Sequence, residues 1–467
     1  MYVNAKEKLS QLPPDYPAEI LPILRNEFLE SEKSIVVLDD DPTGTQTCYD
    51  VTVLTRWSTA LLLEELKQKP SVLFILTNSR SLPEKEAIRL TLEICHNVSA
   101  AALEAGREIV MISRSDSTLR GHFPAEVDAM AEALDMKDAV RILVPAFIEG
   151  GRYTIDEVHY LVEHEDLVPV SDTPFSKDVV FGYKNANLKE WVEEKTKGKV
   201  SSSTVIAVSI DDIRSGGPQI VCKKLMHASP GQVCVVNAVS YRDLEVFSLG
   251  ALLAEKSGKK FLYRTSATFV PIRAGMASGK FFKPEKNDLV SPRGSLIVVG
   301  SHVPKTTSQL GWLLANGKLK SIEINVQEIL QTRKTISIED AIIQQTDEWI
   351  AAGVDVVIHT SRKLELGHDS DSSLKINSIV SDFLVGIVKG LTVRPKFIIA
   401  KGGITSSDLA TKGLSVEKAI IRGAVIPGVP VWQLDSKSKF PDILYVVFPG
   451  NVGSETALIE VLEKFKS

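Results

Sequence analysis

An apolar run that stops in three consecutive carboxylates constrains this chain more than any other feature: Val37 to Thr47 reads VLDDDPTGTQT. Ser34 to Leu38 (SIVVL) is β-branched and apolar, the profile of a strand buried on both faces of a parallel sheet. Pro42 and Gly44 then break it. In an open α/β sheet, ligands sit beyond the carboxyl ends of the strands, which places Asp39, Asp40 and Asp41 where chemistry is usually done. Adjacent carboxylates repel one another, so a fold that gathers them supplies a cation, a hydroxyl proton or backbone N–H groups in return. Taken alone, the stretch admits two readings: the floor of an active site, or a solvated turn whose Asp caps the next helix.

A chain of 467 residues exceeds one ordinary core, so two α/β domains are the default. A formal net charge of -5 offers no basic field for nucleic acid, and no uninterrupted apolar run approaches membrane-spanning length. The opening MYVNAKEKLSQLPPDYP lacks the apolar core of a signal peptide, and the expected location is the cytoplasm. Cys48, Cys95, Cys222 and Cys234 have no CxxC spacing and are expected to be buried free thiols. His159 and His164, five apart in a charged segment, read as solvated surface rather than a metal site.

After a helical preamble over residues 1 to 33, the strand-and-turn pattern repeats. Ser71 to Leu76 ends in Thr77-Asn78-Ser79-Arg80-Ser81, and Glu108 to Ser113 opens into Arg114-Ser115-Asp116-Ser117-Thr118-Leu119-Arg120-Gly121. Arg141 to Phe147 leads to Glu149-Gly150-Gly151-Arg152. Hydroxyls, carboxylates and Arg80, Arg114, Arg120 and Arg152 should therefore share one sheet edge. Arginine's planar fork binds a carboxylate or phosphate through two parallel hydrogen bonds, so the expected ligand is small, polyhydroxylated and anionic. His159 to Lys199 reads as an irregular, charged insertion or lid; strands are expected again at Thr204 to Ile210, Gln232 to Ala238 and Lys260 to Val270.

The Gly-, Pro- and charge-rich stretch Gly275 to Gly294 marks a domain boundary, dividing the chain into 1–280 and 281–467. Gly275 to Lys280 is not a P-loop: the spacing is one residue short, and Phe281 stands where Ser or Thr must hold magnesium. In the second domain the strand Ser295 to Gly300 runs into Ser301-His302-Val303-Pro304-Lys305-Thr306, a hydroxyl-rich turn before a helix. Phe397 to Asp408 carries Gly402 and Gly403, and YVVFPGNVGSET carries Gly450, Asn451 and Gly453. Such turns suit a nucleotide's phosphates, and they equally suit ordinary C-caps.

These motifs, in order, resemble the four-carbon acid sugar kinases, a family that includes 3-oxo-tetronate, threonate and erythronate kinases. DDxTG falls on Asp40, Asp41, Thr43 and Gly44; xSR on Ser79 and Arg80; DSTxxG on Asp116, Ser117, Thr118 and Gly121. PAFxxxGR falls on Pro145 to Phe147 with Gly151 and Arg152, and DTP on Asp172 to Pro174, with Asp178 downstream. GSxxxxTxxQ is similar to Gly300, Ser301, Thr306 and Gln309; GGxT to Gly402, Gly403 and Thr405; IxPGVP and GNxG to Ile426–Pro430 and Gly450–Gly453. The chain departs from the family at Ile404, where a Glu is often found, with Lys401 ahead of the glycines, and at Phe448-Pro449, where a Lys is usual.

The resemblance implies two α/β domains, each on a largely parallel sheet with flanking helices. The first would bind the acid sugar and the second ATP, with the active site in the cleft between them. On that reading Asp40, or else Asp116, accepts the proton of the attacking hydroxyl, and the terminal hydroxyl is the expected acceptor. Asp41, Ser79, Arg80, Ser117, Thr118 and Arg152 would bind substrate, the two arginines taking its carboxylate. Ser301, Gly402, Gly403, Thr405, Gly450 and Gly453 would line ATP, with Mg²⁺ bridging its phosphates through ligands left unassigned. A homodimer is admitted. Two alternatives stay open: a catalytically silent sugar-acid sensor, and a nucleotide-independent sugar-acid aldolase or dehydratase. A nicotinamide dehydrogenase is disfavoured because no GxGxxG follows any strand.

Overall fold

The β-branched run that precedes the three aspartates becomes the strand Ser34–Asp39, buried at every residue, in a computed structural model of the chain. The structure describes residues 2–277, 281–285, 291–331, 335–362 and 370–466. The chain divides into two compact units, Met1–Gly279 and Lys280–Ser467. The boundary expected at 280, and the end of the Gly275 to Lys280 stretch, fall on 278–280, outside the described residues.

The first unit contains strands β1 (Val3–Asn4), β2 (Ser34–Asp39), β3 (Val51–Leu54), β4 (Val72–Leu76), β5 (Ile109–Arg114) and β6 (Val140–Val144). It continues with β7 (Arg152–Ile155), β8 (Val158–Glu163), β9 (Asp166–Pro169), β10 (Ile206–Val208), β11 (Val233–Val236) and β12 (Phe261–Thr265). Eight of these pair in parallel in the order β10-β11-β6-β12-β5-β2-β4-β3. Asp39 pairs with Leu76 of β4 and with Arg114 of β5, and Arg114 with Thr265 of β12, so four neighbouring strands end side by side. The helix Glu84–Ala105 buries Ile94, Val98, Ala101 and Ala102, a stripe at helical spacing.

The segment expected to be irregular from His159 onward is ordered differently. β7, β8 and β9 form an antiparallel sheet with β1, in the order β1-β9-β8-β7, and a helix follows at Leu188–Lys195. Short polar strands with tight turns at Asp156, Glu157 and His164, all at positive φ, carry too little apolar alternation to be read as strands. The apolar run Lys260 to Val270 is likewise two elements, β12 and a short helix at Phe269–Arg273. Thr204 to Ile210 holds only a three-residue strand, because Ser209 and Asp212 form a capping box that starts a helix at Ile210.

The second unit contains β13 (Leu296–Val299), β14 (Leu319–Ile324), β15 (Asp355–Thr360), β16 (Ile398–Lys401), β17 (Lys418–Ile426), β18 (Val429–Leu434) and β19 (Leu444–Phe448). Their order is β17-β18-β19-β16-β13-β15-β14, parallel from β19 to β14, with β17 and β18 added antiparallel. The Ile426–Pro430 motif is the turn of that hairpin. Val299 pairs with Lys401 and Lys401 with Phe448, so β13, β16 and β19 also end side by side.

Cys48, Cys95 and Cys234 are buried free thiols, whereas Cys222 is only partly covered. Among the described residues no helix is long and apolar enough to cross a membrane.

One buried ion pair anchors the helix after β12. Arg273, fully buried, donates through Nη2 to Glu255 Oε2 at 2.5 Å, and Tyr263 Oη donates to Glu255 Oε1 at 2.6 Å. Removing one partner of such a pair strands a buried charge. Glu255→Ala is expected to cost about 3–5 kcal/mol in urea unfolding. The double change Glu255→Leu with Arg273→Met should recover most of that loss; if it does not, the pair contributes more than mutual compensation.

Candidate functional site

The first unit's site begins one residue past β2. Asp40 is 4% exposed and accepts the Arg80 fork through both oxygens, Nε to Oδ2 at 3.1 Å and Nη2 to Oδ1 at 2.5 Å. Ser115 Oγ donates to Asp40 Oδ2 at 2.6 Å. Gly121 lies against this cluster with φ of +114°, and a Cβ there would stand 2.6 Å from Ser115 Oγ and 3.2 Å from Asp40 Oδ2. Arg80 Nη1 also lies 3.5 Å from Asp41 Oδ2 and 3.9 Å from Asp116 Oδ1, so one guanidinium faces carboxylates from the ends of β2 and β5.

The three adjacent aspartates have three different surroundings, and the capping role falls on Asp41 alone. Asp41 is a cap: its Oδ1 accepts the Thr43 N–H at 2.9 Å, together with the Thr43 hydroxyl, and starts the turn Pro42–Thr47. Asp39 lies beneath, wholly buried, with Arg114 Nη1 at 3.0 Å and Oδ2 without a hydrogen-bond partner. Burial pushes its carboxyl up to about 7, against the pull of Arg114. Gly44 is required here, since a Cβ would stand 2.2 Å from both Asp39 oxygens.

Asp116 accepts from Arg120 Nε at 2.8 Å and from the Thr118 hydroxyl. Burial acts to raise its carboxyl, but Arg80 and Arg120 outweigh it and hold the group well below the usual carboxylate range. Arg120 packs over the Phe175 ring at 5.0 Å and lies 3.7 Å from Asp178. Thr118 is buried. Ser117 is half-buried, and its carbonyl accepts from His159 Nε2 at 2.7 Å. His159 is therefore not on a solvated surface: it is fully buried on β8, its Nδ1 faces Thr154 Oγ1 at 2.9 Å, and burial pushes it down to about 4, leaving a neutral imidazole.

Ser79 is completely buried and donates to Glu126 Oε1 at 2.5 Å, so it meets this edge through Glu126. Burial, then the neighbouring Asp40, push Glu126 up to about 7. Glu126 and Arg264 escape the reading of strand ends. Glu126 stands on the buried face of the helix Ala125–Ala133, in step with Ala129 and Met130; Arg264 sits inside the buried strand β12. A charge on an apolar face is the signal that could have found each one. Arg264 Nη2 donates to the Arg120 carbonyl at 3.1 Å, and its Nε has no partner.

Arg152, the first residue of β7, donates through Nη1 to the Gly150 carbonyl at 2.5 Å and lies over Phe147. Among the described residues no carboxylate stands within ion-pair distance of Arg152 or Arg264, and the Arg152 Nε is buried without a partner. Arg80, Arg114 and Arg120, by contrast, are each matched to aspartates.

In the second unit, Ser301, Gly402, Gly403 and Thr405 line one cavity of about 330 Å³, with Val380, Leu384 and Ile404 as its apolar side. Gly402 has φ of +124°, and a Cβ there would stand 3.0 Å from Thr405 Oγ1. Gly450 adjoins this group rather than lining the cavity: a Cβ on it would meet Ser301 Oγ at 2.9 Å, and its carbonyl accepts from Thr306 Oγ1 at 2.9 Å. Gln309 Nε2 donates to the carbonyls of Val452 and Ser454, fastening the same turn. Gly453 is constrained by the helix Ala457–Lys464, whose first Cβ would be 2.4 Å away. Among the described residues no group of three or more His, Cys, Asp or Glu could hold a metal. The first unit's aspartates are taken up by arginines and hydroxyls, a donor set that does not fit a resident divalent cation.

A family model described as a sugar-binding N-terminal domain matches residues 35–272, and one described as a nucleotide-binding C-terminal domain matches 296–458. D-Erythronate kinase of Heliobacterium modesticaldum is 24% identical over 416 residues, covering 85% of this chain and 87% of its own length. D-Threonate kinase of Bordetella bronchiseptica is 29% identical over 154 residues, 31% of this chain and 36% of its own. A crystal structure from Salmonella typhimurium LT2, provisionally labelled a tRNA synthase, matches with a TM-score of 0.68 at 15% identity over 92% of this chain and 99% of that one. At that identity the likeness concerns the fold.

The raised Glu126 carboxyl makes stability depend on pH. The folded state keeps the proton from the unfolded value, about 4.3, up to about 7, so the cost of holding the acid protonated grows with pH through that window. Glu126→Gln still accepts from Ser79 and removes the cost. Between about pH 4 and pH 7 the variant should therefore gain on the order of 2–3 kcal/mol relative to wild type in urea unfolding. An unchanged difference across the window would show that Glu126 ionises freely.

Proposed function

Because this chain belongs to the four-carbon acid sugar kinase family, we propose that it transfers the γ-phosphoryl group of ATP to a hydroxyl, the terminal one, of a short sugar acid such as a tetronate or 3-oxo-tetronate. The observation that carries this reading is the imbalance among the first unit's arginines. At this sheet edge Arg80, Arg114 and Arg120 are matched by aspartates, whereas among the described residues Arg152 and Arg264 each have a free Nε and no carboxylate partner, and of these two Arg152 is the half-buried one. A carboxylate on the substrate supplies the missing charge, and sugar hydroxyls suit the remaining Asp, Ser and Thr oxygens.

In this reading Arg152 holds the substrate carboxylate. Arg80, engaged by Asp40, acts by fixing that carboxylate in one orientation. Asp40 accepts the proton of the attacking hydroxyl, with Ser115 steadying its Oδ2. Asp116, held ionised by Arg80 and Arg120, together with Asp41 and Ser117, orients sugar hydroxyls; Thr118 steadies Asp116, and Ser79 supports the edge from behind through Glu126. Ser301, Gly402, Gly403 and Thr405 receive ATP, Gly450 and Gly453 shape the turn beside them, and Mg²⁺ arrives as the counter-ion of the phosphates. Positioning and charge neutralisation then supply most of the rate.

The test is ADP release by the purified protein with ATP, Mg²⁺ and a panel of short sugar acids that includes 3-oxo acids. One acid is expected to stimulate release. Asp40→Asn should lower turnover by about 10²–10⁴-fold with ATP affinity nearly intact. Arg152→Met should raise KM for the acid about tenfold or more with kcat little changed. Turnover of an acid without ATP would select an aldolase or dehydratase instead, and acid binding with no ADP would select a sensor.

A further inference from the structure

The strand β16 ends in a cation that faces no acid among the described residues. Lys401 is completely buried; its Nζ donates to the Pro449 carbonyl at 2.5 Å, lies 3.4 Å from the Gly450 carbonyl and stands 3.9 Å from the centroid of the Phe448 ring. Among the described residues no carboxylate lies within ion-pair distance of it. Two carbonyl dipoles and a ring face compensate a buried ammonium only in part. Burial, and then Lys305 on the helix Pro304–Asn316, push the group down to about 7. The other titratable groups nearby are turned elsewhere: Asp408 to Ser381 and Lys412, and Tyr445 to the Ser406 carbonyl. His302, at the cavity, is itself lowered by burial and by Arg362.

The position of this charge is specific. Lys401 directly precedes Gly402 and Gly403, which line the cavity, and its ammonium reaches across to the turn whose Gly450 packs on Ser301. Thr306 holds that turn from its other side. This cation therefore lies beneath the two turns that line the cavity and the Pro449–Gly450 turn that adjoins them.

We propose that Lys401 is a positioning residue of this cavity, tying the Pro449–Gly450 turn to the Gly402–Gly403 turn and holding a positive charge beneath the place where the phosphates of a nucleotide enter. The proposal rests on the reading of the second unit as the nucleotide site. Its two parts separate chemically. A neutral amine still donates to the Pro449 carbonyl, so loss of the proton leaves the turn in place and removes only the charge. A polyanion supplies the counter-charge that the free protein lacks, so nucleotide binding and protonation of Lys401 favour each other, and binding takes up a proton wherever the free group is partly neutral.

The experiment is calorimetric titration of ADP and ATP into wild type, Lys401→Met and Lys401→Arg from about pH 7 to about pH 9, in buffers of differing ionisation heat. Wild type is expected to lose about tenfold in affinity as pH rises through this range and to show proton uptake on binding. Lys401→Met should bind about tenfold more weakly at the lower pH, with a flat profile and no uptake. Lys401→Arg, permanently charged, should regain affinity without the pH dependence. Binding by Lys401→Met as tight as wild type overturns the assignment. A wild-type affinity that is flat with pH and free of proton uptake also overturns it, and that measurement stands even if the Met variant does not fold. Failure of wild type to bind either nucleotide at any pH would sink the nucleotide reading and this assignment together, an outcome distinct from the other two.

Discussion

The two-point bond between Arg80 and Asp40 is the constraint on which the first unit's site depends. It joins the loop after β4 to the residue after β2, and the same guanidinium reaches toward Asp116 after β5. Carboxylates at such separations repel one another in a low-dielectric setting, and a shared cation offsets that repulsion. A buried ion pair adds little to stability compared with a well-packed apolar pair. Its contribution here is orientation, because a planar fork fixes the plane of the carboxylate that it grips. The glycines follow from that packing: Gly44 is pressed against Asp39 and Gly121 against Ser115, each where a methyl group would displace the acid network.

The two units solve opposite electrostatic problems. The first gathers acids and needs arginines to hold them; with Arg80, Arg114 and Arg120 taken up, Arg152 and the more deeply buried Arg264 are left without a carboxylate among the described residues. The second brings glycine and hydroxyl turns together, and with no carboxylate in ion-pair distance among the described residues the buried Lys401 ammonium is held by carbonyl dipoles and a ring face. Both arrangements arise from one topological fact. Neighbouring parallel strands end at the same level, and their following residues converge whatever their distance in sequence.

That topology was largely readable from residues in order. The strands β2, β4, β5, β13, β16 and β19 are continuous apolar runs, and a both-faces-buried run admits few environments other than a central parallel strand. The polar residues that follow them were legible as one edge for the same reason. The ribbon of β7, β8 and β9 and the hairpin of β17 and β18 were not, because short antiparallel strands carry weak periodicity and owe their pairing to turns and partners. Val3–Asn4 could not be foreseen as the partner of Asp166–Leu167, since only the folded chain brings them together.

The sequence by itself determined the kinds of groups at each strand end and the order in which the edges present them, because burial pattern and chain direction are local properties. Only the tertiary structure decided what each group does there. It made Asp41 a cap, Asp40 an arginine-held carboxylate and Asp39 a buried acid raised to about 7, three fates for three identical adjacent residues. It also brought Glu126, Arg264 and His159 to the site from a helix face, a strand interior and a ribbon that no motif marks. The reason is physical: protonation and partnership depend on distances of a few ångströms and on exclusion of water, and neither is encoded in the spacing of residues along a chain.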